Sequence, residues 1–436
     1  MTNVRHPNRK NQPALGQPFP LKLPSIESIK LDNGLPFFLL PDKQQEVTRI
    51  DFVFDAGTIR QDKILQAVTV NKLLSEGTKN RSALEIAELL DYHGAYLDRF
   101  VTKDSAGITL YSLTKYVNKL LPLMVEIITE AIFPEDEIKS FLDRRKQQFL
   151  VNNEKVNFRA SLEFNRMIFG ARSAYGKTMQ VSDFDHLTRH DCLDFYQNHY
   201  RKAGFYGMIS GNFDESILLQ INNLAGQIPN QEQSKWPLPA TVIDPGPENI
   251  KLISKKKTLQ SALRTGCLTI NQAHDDYPCL ALLNTVLGGY FGSRLMSSIR
   301  EDKGFTYGIY SFIQHHRHAD YFGVSTEVNA QNTEAALEEV KHQIEKLSLE
   351  KIPAAELETV KNYIYGSYLR NFDGSFVLAE RFLKSRELGL NFELYGQVLS
   401  QMMNCTSEAL LATAQQYLNP DKMKILVVGN TEGLKM

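Results

Sequence analysis

Apolar side chains recur at Ile50, Phe52 and Phe54, the two-residue period of a strand. The pattern then changes. Residues 64–78, Ile-Leu-Gln-Ala-Val-Thr-Val-Asn-Lys-Leu-Leu-Ser-Glu-Gly-Thr, form a helix-like apolar run that stops at Glu76-Gly77-Thr78. Ser82-Ala83-Leu84-Glu85 has the spacing of a capping box and predicts a second helix running towards Tyr92. Residues 95–100 and 107–113 read as hairpin strands. A helix from about residue 115 to 132 ends at Phe133-Pro134, and the next opens with Glu135-Asp136-Glu137.

The second half repeats this order. Residues 266–270 predict a strand, 278–287 and 293–300 two helices, and 305–312 with 321–328 a hairpin. Residues 334–347 are amphipathic, with Leu337, Val340, Ile344 and Leu347 on one face, and Ile352-Pro353 echoes Phe133-Pro134. Asn71 and Asn284 fall at corresponding places in the two copies. Between the halves, residues 227–247 are polar and proline-rich, as an extended linker would be. The predicted organisation is an extended arm (1–27), a first domain (28–226), the linker (227–247) and a second domain (248–436). The fold class is α+β: two homologous domains, each a mainly antiparallel sheet covered by helices.

Composition narrows the function. At 436 residues the chain is long enough for two domains, and a net charge of −1 without a basic run gives no reason to expect nucleic acid. No apolar run reaches membrane-spanning length, and no secretory signal core is seen, so a cytoplasmic protein is expected. Cys192, Cys267, Cys279 and Cys405 are scattered and read as reduced. His315-His316-Arg317-His318 lies at the turn of a predicted hairpin with no fourth ligand in view. His186, His190 and His199, within a predicted helix from 184 to 200, read as solvated or core histidines. No nucleophile elbow, Walker loop or dinucleotide fingerprint is present.

Four segments, in order, carry a resemblance. They are Lys30-Leu31-Asp32-Asn33-Gly34-Leu35, Ala56-Gly57-Thr58-Ile59-Arg60, Leu287-Gly288-Gly289-Tyr290-Phe291-Gly292-Ser293-Arg294-Leu295, and Arg300 to Tyr307. With the internal repeat, the chain from about Ser28 onward resembles the pitrilysin/insulinase family of inverted zinc peptidases. The family's helix carries His-x-x-Glu-His before a Gly-Thr ending. Counting back from Gly77-Thr78, the histidine positions are Val68 and Lys72 and the glutamate position is Asn71. Val68 has no donor atom, Lys72 would be an ammonium, and Asn71 cannot take a proton from water. The third ligand, expected as a glutamate in a later helix, falls on Gln147 or Gln148.

Arg300 and Tyr307 stand where the family has its substrate-binding pair. A guanidinium and a phenol can hold a peptide backbone and the charge that develops on a scissile carbonyl. In this family two chains form a clam-like chamber, and the pair of one subunit faces the zinc of the other. The resemblance therefore implies a chain with no catalytic residue or metal of its own. It would be the substrate-binding subunit of a heterodimeric peptidase for peptides or unfolded polypeptides, with zinc only in the partner. Two other readings stay open: a structural core-type subunit of a larger complex, and a free-standing peptide-binding homodimer without hydrolytic activity.

Overall fold

The computed structural model describes residues 21–201, 204–229, 242–256 and 258–434. Most of the arm (1–20) and the middle of the linker (230–241) lie outside the described residues.

The first half opens with strands β1 (Glu27–Lys30), β2 (Pro36–Pro41) and β3 (Val47–Phe54). Helices α1 (Gln66–Leu73) and α2 (Ala83–Tyr92) follow, then strands β4 (Tyr96–Val101) and β5 (Ala106–Leu113). Next come α3 (Val117–Glu130), α4 (Glu135–Asn153), α5 (Val156–Phe169), α6 (Arg189–Tyr196), β6 (Phe205–Gly211) and α7 (Glu215–Ala225). The capping box at Ser82 forms as the sequence predicts, with Ser82 and Glu85 bonded reciprocally. The predicted helix over 184–200 is broken: a 3₁₀ turn (Val181–Asp185) precedes α6, which Thr188 caps afresh, and a π turn (Gln197–Arg201) follows.

The second half contains β7 (Ile250–Ser254), β8 (Gln260–Thr269), α8 (Tyr277–Asn284), β9 (Ile309–Gln314) and β10 (Asp320–Asn329). Helices α9 (Thr333–Leu349), α10 (Ala354–Asn371), α11 (Ser375–Glu387), α12 (Leu394–Asn404) and α13 (Ser407–Tyr417) precede β11 (Lys424–Gly429). The hairpin's first arm begins at Ile309, later than the predicted residue 305, because residues 305–308 form a loop tied to the neighbouring strand.

The two sheets share one plan. Their strand orders are β1-β2-β6-β3-β5-β4 and β7-β11-β8-β10-β9. Every pairing is antiparallel except β2 with β6 and β7 with β11, which occupy matching places. The duplication read from the sequence is thus a duplication of topology, with β1 added to the first copy.

The strand alternation alone suggests one covered and one solvated sheet face. Both are covered instead. Ile50, Phe52 and Phe54 pack under the helices of their own half. On the opposite face, α11 crosses from the second half and sets Ala379, Phe382 and Leu383 against Phe38, Leu40, Val53 and Met208. Reciprocally, α5 leaves the first half and packs Ala160, Phe164 and Ile168 on Ala262, Leu426 and Val428 of the second sheet. Each half therefore lends one helix to the other. The described end of the arm follows the same seam: Leu21 packs on the second-half core, Leu23 and Ile26 on the cluster beneath α11.

The histidine-rich turn completes the seam. Tyr175 Oη donates to Asp104 Oδ1 at 2.5 Å, and the Arg317 amide donates to Asp104 Oδ2 at 3.0 Å. His316 stacks on Tyr175 with centroids 4.8 Å apart, while His315 pairs with Asp320 at 2.7 Å. The predicted turn is present, and its role is to fasten one half to the other.

Candidate functional site: the α1 cluster and an exposed arginine–tyrosine loop

Helix α1 starts abruptly after Leu65, whose φ of 77° turns the chain into it. Asn71 is fully buried: its Nδ2 donates to the Gly107 carbonyl at 3.0 Å and to Tyr200 Oη at 3.1 Å. Its Oδ1 is buried with no hydrogen-bond partner among the described residues. The side chain that the resemblance aligns with the base thus ties α1 to β5 and to the segment after α6. Val68 is half-buried one turn earlier.

Lys72 bends to the edge strand, where its ammonium donates to the Arg99 carbonyl. Arg99 Nη1 returns a bond to the Lys72 carbonyl at 2.8 Å and a second to Ser75 Oγ. Burial holds Lys72 below its ordinary value, Arg99 and Arg145 push the same way, and Asp98 opposes them. Arg145 comes from α4, over the Phe141 ring at 5.6 Å. Gln147 and Gln148, the sequence-derived third-ligand positions, are exposed on α4. The buried stripe of α4 runs through Ile138, Leu142 and Phe149, and Arg145 continues it. That stripe is the signal by which the sequence could have found Arg145.

Zinc in such a site takes imidazole and carboxylate donors. The residues gathered here are an amide, an ammonium, two guanidinium groups and a valine, with Glu76 paired to Arg99 at 3.7 Å and Asp98 nearby; without an imidazole, and with one carboxylate ion-paired, they do not fit the metal. Among the described residues no group of three or more His, Cys, Asp or Glu side chains is placed to hold one.

Arg300 and Tyr307 sit in a different setting. A helical stretch whose last part is π-wound (Met296–Asp302) carries Arg300, and Gly304, with φ +65°, ends it by a left-handed turn. The preceding Leu287-Gly288-Gly289 lets the helical layer approach β9: a Cβ on Gly288 would lie 2.5 Å from the Ser311 nitrogen. Arg300 lies over the exposed Phe291 ring, Cζ to centroid 4.7 Å. Thr306 Oγ1 donates to the Glu327 carbonyl at 2.6 Å and accepts from the Gly308 amide at 3.1 Å. This pins the loop on both sides of Tyr307, whose side chain is left 95% exposed. No hydrogen bond or ring contact joins Arg300 to Tyr307, or either to the α1 cluster, among the described residues.

Tyr307 borders a groove of about 220 Å³ between the loop, the second sheet and the start of α5. Tyr310 and Glu327 flank it and Arg264 lines it from the sheet. The sequence reading did not single out Arg264. Its signal is a lone charge on β8, between the buried Ala262 and the glycine at 266.

Two family models match the chain: insulinase (peptidase family M16) over residues 38–167, and the peptidase M16 inactive domain over residues 186–364. An uncharacterized zinc protease of Rickettsia bellii is 22% identical over 417 residues, 92% of this chain and 97% of that one. An uncharacterized zinc protease of Bacillus subtilis is 22% identical over 354 residues, 81% of this chain and 85% of its own length. Among solved structures, the peptidase M16 inactive domain from Pseudomonas fluorescens superposes with a TM-score of 0.82 at 22% identity. It matches 94% of this chain and 100% of its own. The periplasmic protease PqqL from Escherichia coli gives 0.77 at 15% identity, matching 99% of this chain and 49% of its own. These structural likenesses speak to the fold.

Proposed function

Because the chain belongs to the M16 (insulinase) family of peptidases, we propose that it is a non-catalytic, substrate-binding subunit of a zinc peptidase that acts on peptides or unfolded polypeptides. The zinc and the general base come from a partner chain bearing His-x-x-Glu-His. This chain contributes Arg300 and Tyr307. One observation supports the reading: the position that the family resemblance gives to the metal is lined by Lys72, Arg99 and Arg145 with no imidazole, while Tyr307 is held outward by a loop bonded on both sides. Cations there repel a dication, so hydrolysis by this chain alone has no activated water. A phenol at full exposure, by contrast, is available to a ligand at no desolvation cost to the fold.

The edge strand β4 supports a binding role as well. It pairs with β5 on one side only, and an extended peptide can add to such an edge.

The test is reconstitution. The chain alone should leave a fluorogenic peptide uncut, and mixing it with an intact M16 partner should produce cleavage above that of the partner alone. A partner that reaches full turnover without this chain would remove the complementation reading. Recovery of the chain only as a peptide-binding homodimer would favour the free-standing binder.

A further inference from the structure

Arg264 is the buried charge that the reading above leaves unused. It projects from β8 with 5% of its surface exposed. Its Nη1 donates to the carbonyls of Leu263 at 2.9 Å and Thr326 at 3.4 Å, and its Nη2 donates to Asn157 Oδ1. All of these partners are neutral. Among the described residues no carboxylate lies within ion-pair distance of it. The first half handles its own buried arginine differently. Beneath the crossing helix α11, Arg49 pairs with Asp51 at 2.9 Å and with Glu380 at 2.9 Å. That charge is balanced inside the fold. Under α5 the corresponding helix offers only the amide of Asn157.

A guanidinium stays charged at any physiological pH, and a desolvated charge without a counterion is costly to the fold. Arg264 also lines the open groove beside Tyr307. The groove's second charge is Glu327, half-exposed on the flank and close enough to favour the charged form of Arg264. A dianion such as phosphate would meet that carboxylate. A single carboxylate next to an N–H donor would not: the anion faces Arg264 and the N–H faces Glu327. The last residue of a peptide has this pattern, a free carboxylate beside its own amide. An acidic side chain supplies the same anion.

We propose that the Arg264 groove is a carboxylate subsite of the peptide-binding surface, taking the C-terminal carboxylate or an acidic side chain of the peptide that Tyr307 contacts. The inference rests on the peptide-binding reading of Tyr307. Arg264 supplies the charge-assisted hydrogen bond, Tyr307 and Tyr310 wall the ligand, and Glu327 admits one negative charge but not two.

The experiment uses the full chain and fluorescence anisotropy of an N-terminally labelled apolar peptide in three forms: free C-terminal carboxylate, C-terminal amide, and amide with a penultimate Asp. The free-carboxylate form should bind on the order of ten- to a hundredfold more tightly than the plain amide. Arg264→Gln should erase that difference, with the loss falling chiefly on the free-carboxylate form. Tight binding of the Asp-containing amide would assign the subsite to acidic side chains, and weak binding would assign it to chain ends. Removal of Arg264 can unfold the second half, so Glu327→Gln is the companion variant. It should raise the ratio of carboxylate to amide affinity, because the carboxylate form is relieved of repulsion while the amide form only loses a charged acceptor for its N–H; an unchanged ratio overturns the subsite. Equal affinities for all three peptides in the parent chain overturn the subsite and leave peptide binding standing. Absence of binding by any of them overturns both.

Discussion

Helix α1 and the Gly304–Gly308 loop have opposite fates in one chain. On α1, each side chain that departs from the zinc motif has been absorbed into the fold: Asn71 holds β5 and Tyr200, and Lys72 holds the edge strand. In the loop, the backbone is bonded down and the side chain between the bonds is left out in solvent. Burying a polar group is costly unless it is hydrogen-bonded, and on α1 the Asn71 amide nitrogen and the Lys72 ammonium both find carbonyl partners. An exposed tyrosine carries no such pressure, and the proposed peptide-binding role of Tyr307 rests on that difference. The contrast can be tested from both ends.

The largest effect should come from rebuilding the metal site. Val68→His, Asn71→Glu and Lys72→His together should still bind zinc weakly, because Arg145 remains beside the position. Adding Arg145→Glu should bring zinc to about one per chain, while adding Gln148→Glu instead should not. Elemental analysis of the two quadruple variants decides between the inward-facing and the exposed position on α4. Equal zinc content would show that position 145 lies no nearer the metal than position 148.

The next effect concerns the loop. In a reconstituted assembly with a zinc-bearing partner, Arg300→Ala with Tyr307→Phe should lower turnover by roughly 10²–10³-fold, about 3–4 kcal/mol of transition-state stabilisation, with assembly unchanged. Full turnover by the double variant would place the chain among structural subunits and erase the contrast.

Much of this arrangement was legible beforehand. The capping box at Ser82, the proline breaks at 134 and 353, and the order of elements gave the duplicated plan, because period and punctuation are local properties. What covers a sheet is not local. Arg49 and Asp51 alternate with Ile50 and Phe52 as a solvated face would, and only the crossing of α11 buries them. The rotation of α4 is likewise not local: the count across several loops sets the third position at Gln147 or Gln148, which are exposed on α4, while Arg145 is half-buried and close enough to act on Lys72. The histidine tract was correctly read as a turn, but a turn's partner across 200 residues of chain leaves no periodic trace.

That turn gives a prediction about whether the two regions share one cooperative unit. Burial lowers His316 from the ordinary histidine value to about 4; Asp104 and Asp320 oppose the shift, and Lys103 and Lys384 reinforce it. Between pH 4 and about 6.5 the unfolded chain binds a proton at this site that the folded chain does not, so stability rises with pH across the window. Acidification from about 6.5 to 4 should therefore cost about 2–3 kcal/mol through this residue. Urea unfolding of the parent and of His316→Gln should show a smaller acid loss in the variant. Identical pH profiles would mean that the clasp does not govern the joint between the halves.

The smallest effect is the most direct reading of the contrast. Asn71→Ala leaves the Gly107 carbonyl and the Tyr200 hydroxyl without their partner in a dry environment, which costs about 1–3 kcal/mol. Tyr307→Ala removes a side chain that touches little of its own fold, and surface substitutions of this kind stay within about 0.5 kcal/mol. Denaturant midpoints measured side by side should separate the two variants, with Tyr307→Ala indistinguishable from the parent. Peptide affinity should rank them in reverse, lost or weakened in Tyr307→Ala and kept in Asn71→Ala below its unfolding midpoint. If Tyr307→Ala proves as destabilising as Asn71→Ala, the tyrosine belongs to the architecture of the loop, and its exposure no longer argues for a ligand.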